Sequence, residues 1–84
     1  MKRKHDNVVK IEALLKQLLD ITGRWDFDSD VPKSQKTQCK EVGEMLNELG
    51  GFHLMTEAYY HVRDRHPAAS VLRVLWHGIG DWQM

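Results

Sequence analysis

The chain has 84 residues, 42% of them hydrophobic, with twelve Lys+Arg against twelve Asp+Glu and a single cysteine. A chain this short buries only about 60% of the surface it exposes when unfolded, so it has room for one domain and one small core but not for a cleft between two subdomains. Zero net charge gives no overall field toward nucleic acid or anionic membrane, and one thiol excludes both an internal disulfide and a structural cysteine-based zinc site.

The charge is unevenly spread. Residues 1–25 hold six basic and three acidic groups and residues 26–84 hold six and nine, so the head is mildly basic and the rest mildly acidic. The opening "MKRK" reads as a frayed end over residues 1–5, and its phosphate-binding alternative is the basis for a runner-up function, a small nucleic-acid-associated regulator. No apolar run reaches the roughly 18 residues of a membrane span, and the basic start lacks the apolar core of a signal peptide. The expectation is a cytoplasmic protein, with no membrane partner.

Residues 6–22, "DNVVKIEALLKQLLDIT", place Val8, Ile11, Leu14, Leu15, Leu18 and Leu19 at three- and four-residue spacings. That pattern predicts an amphipathic helix, with Asp6 as its N-cap and Gly23 as its stop. "RWDFDSDVPK", residues 24–33, breaks the period with three aspartates and a proline and predicts a loop whose Trp25 and Phe27 fold back as a plug. Ser34 opens a second helix over 34–49, with Cys39, Val42, Met45, Leu46 and Leu49 on its apolar face and Gly43 inside it to admit a neighbour. Gly50 and Gly51 end that helix, and Phe52 is placed to pack back on Leu46.

A third helix is predicted over 52–66, carrying Met55, Ala58, Tyr59 and Val62 inward and leaving Tyr60 nearer the surface. Pro67 suits the first turn of a fourth, over 67–77, burying Val71, Leu72, Leu75 and Trp76. In the closing "WHGIGDW", Gly78 falls just past that helix and Ile79 folds back toward Val74. Gly80 permits a second turn, and Trp82 returns to the core with His77 and Asp81 outside. The whole is an all-α, compact four-helix array in one domain, 1–84, with short connections.

Few residues carry a chemical motif. His53, Glu57 and His61 lie four apart on one helix face and are the metal candidates by residue type, but His53 and His61 are separated by about 12 Å of helical rise, so one ion takes an adjacent pair at most. Asp26, Asp28 and Asp30 match the first half of a calcium loop, yet Val31 stands where the loop needs glycine and Thr37 where it needs glutamate. Cys39 falls on an apolar face, as an inert thiol does. No phosphate loop, serine elbow or acid pair is present, and no cofactor and no catalytic activity are expected. Candidate partner contacts are Tyr60, Trp76, His77 and Trp82, since clustered aromatics make binding anchors.

"EVGEMLNELGGFHLMTEAYYHV" and "VLRVLWHGIGDW" resemble a group of small uncharacterised bacterial proteins that share G-x-x-L-N-x-x-G-G-x-x-x-M and end in W-x-G-I-G-x-W. The matching residues are Gly43, Leu46, Asn47, Gly50, Gly51, Met55, Trp76, Gly78, Ile79, Gly80 and Trp82, within residues 41–82. Some proteins of this sort travel on mobile gene cassettes such as those of integrons. The resemblance implies no activity, substrate or cofactor, and supports architecture more than mechanism. The expected function is a small helical protein–protein interaction or accessory module. A homodimer through the leucine-rich face of the first helix is the form expected, since that helix holds more apolar positions than a three-helix core covers.

Overall fold

The computed structural model describes residues 2–25 and 31–82, with side chains from residue 7 onward. Helix α1 spans Lys2–Thr22 and α2 spans Lys33–Arg65. A five-residue 3-10 turn, Pro67–Val71, then leads into one α-turn, α3, at Leu72–Leu75. Among the described residues there is no strand, so the chain is all-α. The expected count of four helices does not hold. The predicted helices 34–49 and 52–66 are both present, as two helical arms joined directly at Gly51, which α2 spans, whereas the predicted helix 67–77 is a 3-10 turn followed by one turn of α.

Helix α1 begins at Lys2, which places Asp6 inside it instead of at its cap. It ends as the sequence predicts. The Gly23 amide donates to the Leu19 carbonyl at 3.0 Å and the Trp25 amide to Thr22 at 3.0 Å. Thr22, the one buried polar residue among those described, donates its hydroxyl to the Leu18 carbonyl at 2.7 Å, which removes the cost of burying it. Helix α2 starts at Lys33 behind Pro32, whose carbonyl accepts from the Lys36 amide at 3.0 Å, so Ser34 is not its opening residue. It stops at Arg65 because Pro67 disfavours helical backbone at His66, which adopts φ −133° and ψ 89°.

Gly51 interrupts α2 with φ 68° and ψ −157°, a backbone region essentially confined to glycine. The interruption is a reversal. A straight helix of 33 residues would hold its ends about 50 Å apart. Here Gln35, near one end, accepts a 2.8 Å hydrogen bond from the Trp25 indole, and His66, beyond the other end, lies against Gly23. Both ends of α2 therefore meet the end of α1. The two arms, residues 33–50 and 52–65, run back alongside α1, with Lys10 and Leu14 near Glu48 and Leu49 of the first arm and Ile11 and Leu15 near Leu54 and Ala58 of the second.

The core follows from this hairpin. Leu14, Leu18 and Ile21 of α1 meet Cys39, Val42 and Leu46 of the first arm and Met55, Ala58, Tyr59 and Val62 of the second. Ala69, Leu72, Trp76, Ile79 and Trp82 complete it from the C-terminal segment. Not every expected core position is covered. Met45 is half exposed, at the edge of the stripe that Cys39, Val42 and Leu46 define, and Val71 and Leu75 are only half-buried. Phe52 is 43% exposed, with its ring tilted against Trp82 at 5.7 Å.

Candidate interaction surface

The C-terminal segment is seated by two indoles. Trp76 is fully buried, and its Nε1 donates to the Cys39 carbonyl at 2.8 Å. Its ring lies on Gly43 so closely that a Cβ there would stand 2.6 to 2.9 Å from three indole atoms. Beyond it, Gly78 at φ 92° and Gly80 at φ 56° turn the chain twice. The Gly78 amide donates to the Trp82 carbonyl at 3.1 Å, and the Trp82 amide to Ile79 at 2.9 Å. The Trp82 indole then donates to the Arg73 carbonyl at 3.0 Å, capping an oxygen that α3 cannot satisfy by itself.

Trp82 is also the hub of the aromatic cluster, with ring centroids 5.3 Å from Trp76 and 5.7 Å from both Tyr59 and Phe52. "WHGIGDW" is thus a terminator locked by its own aromatic rings. Ile79 is buried in the core, while Val74 stays half exposed. The two sequence blocks that carry the resemblance meet here: Gly43 beneath Trp76, and Asn47 against Gly80, where a Cβ would stand 2.5 Å from the Asn47 Oδ1.

Of the four candidate contact residues, Trp76 and Trp82 are therefore inside and present no ring to a partner. Tyr60 is 49% exposed, with the Arg63 guanidinium 4.9 Å above its ring. His77 is exposed and lines a polar cleft of about 510 Å³ between the first arm and the C-terminal loop, with Lys40, Glu44, Asn47 and Glu48. His53, Glu57 and His61 are exposed along the second arm, and among the described residues no three His, Cys, Asp or Glu side chains are grouped to hold a metal ion. Asp26, Asp28 and Asp30 of the calcium-like stretch, and Phe27, lie outside the described residues. Cys39 is fully buried, and burial pushes its thiol up from 9.0 to about 11, so little nucleophilic thiolate forms near neutral pH.

The apolar surface that remains lies beside α1. The leucine-rich face that the sequence suggested for dimerisation is absorbed: Leu14, Leu18 and Ile21 are buried, and Leu15 and Leu19 pack against the core. The earlier part of the helix is different. None of residues 7–13 is buried, and Val8 and Val9 are each half exposed. A groove of about 290 Å³ runs between α1 and the first arm, with Ala13, Leu14, Met45 and Leu49 as its apolar floor and Lys10, Gln17 and Glu48 at its edges. Sequence reading missed this groove because the three-residue step from Val42 assigned Met45 to the core. The stripe through Cys39, Gly43 and Leu46 was the signal that Met45 sits one flank away.

No family model, characterised protein or solved structure matches this chain. No helix among the described residues is long and apolar enough to cross a membrane.

Proposed function

We propose that this chain acts by binding protein, as a small helical interaction or accessory module whose docking surface is the groove between α1 and the first arm of α2. The observation that carries the reading is the half-exposed Met45 beside Ala13, Leu14 and Leu49, an apolar floor rimmed by charge. Interfaces place apolar side chains at the centre and polar ones at the rim, and an unbranched methionine adapts its shape to what it meets. Among the described residues the one buried polar side chain, Thr22, is satisfied, and burial keeps the Cys39 thiol protonated near neutral pH. The resemblance to small uncharacterised bacterial proteins, some of them carried on mobile gene cassettes, is compatible with an accessory role and names no partner. The nucleic-acid alternative rests on the basic composition of residues 1–25 alone.

A photo-crosslinking residue placed at position 45 in the native host tests the reading, with position 77 in the polar cleft as the comparison. Discrete protein adducts from position 45 are the expected result. Adducts from position 77 with none from position 45 would move the docking surface to the cleft and overturn it.

A further inference from the structure

We infer that the occupant of this groove is a second copy of the chain, docked about a two-fold axis that runs along the groove; the inference rests on the docking reading above.

Charge and the self-complementary floor carry the argument. Lys10 on the α1 edge and Glu48 on the first-arm edge are exposed, opposite in sign and not paired with each other. A two-fold axis along the groove lays α1 of each copy over the first arm of the other. Lys10 then faces the partner's Glu48, and the same pair forms a second time by symmetry. The apolar floor is self-complementary under that operation, because Ala13 and Leu14 come over the partner's Met45 and Leu49. Zero net charge leaves no overall repulsion between copies.

The test is the mass in solution of the wild-type chain, K10E, E48K and an equimolar mixture of the two variants, at low salt and from micromolar to millimolar concentration. The wild type is expected to dimerise. Each variant alone places like charges opposite each other twice and is expected to weaken dimerisation about tenfold. Mixing restores both pairs in a heterodimer of one K10E and one E48K chain, visible by native mass spectrometry, and high salt flattens all these differences. A wild type that stays monomeric throughout, or a mixture that associates no better than its components, overturns the inference. If the wild type is monomeric while position 45 still crosslinks to another protein, the docking reading stands and only the self-pairing falls.

Discussion

Gly43 is the residue on which the C-terminal half depends. In an exposed helix interior, Gly→Ala stabilises by about 1 kcal/mol. Here the added Cβ would meet a fully buried indole at 2.6 Å, and that indole is held by its bond to the Cys39 carbonyl and cannot slide away. G43A is therefore expected to lose about 2 kcal/mol net in urea unfolding, as overpacked cores do. A gain in stability would mean that Trp76 does not sit on Gly43. Cys39 gives a pH dependence of known sign. Its folded value, about 11, lies above the ordinary 9.0, so the buried thiol's contribution is complete below pH 9 and is lost as pH rises toward 11. Thermal melts of the wild type and C39A across that range should converge as the pH rises. Parallel curves would show that the thiol does not contribute.

At the scale of elements, the reversal in α2 decides the architecture. Nothing lies within 4 Å of where a Cβ on Gly51 would be, so substitution there has a backbone cost alone. G51A should lower stability by about 2 kcal/mol, with the denaturant slope unchanged. An unchanged midpoint would mean that the reversal does not need a left-handed residue. Helix ends were largely legible in the sequence, because glycine and proline act locally: Gly23 and the His66–Pro67 step fall where they were expected. The start of α1 and the segment 67–77 were not. The apolar spacing of "AASVLRVLWH" fits a helix, and Ala69, Leu72 and Trp76, at i, i+3 and i+7, do share a buried face. The segment behind Pro67 is nevertheless wound as a 3-10 turn, and the Leu72 amide is shared between the Ala69 and Ser70 carbonyls where the pitch changes.

For the whole molecule, neutrality is the governing quantity. With a pI of about 7.0, the chain should be least soluble near neutral pH and more soluble on either side, as turbidity against pH would register. A solubility minimum well away from neutrality would count against charge balance as its cause. The overall shape, 45 × 24 × 22 Å, is that of an elongated body for so few residues. The sequence by itself determined what is local and periodic: helices instead of strands, the glycine and proline stops, the inward Tyr59 with the outward Tyr60, and the closing aromatic lock. Tertiary structure decided the rest. It folded the two predicted helices back on each other at Gly51, absorbed the leucine face of α1 and left Met45 at the mouth of a groove. Spacing along a helix says which residues share a face, but only the neighbours that arrive decide whether that face is covered.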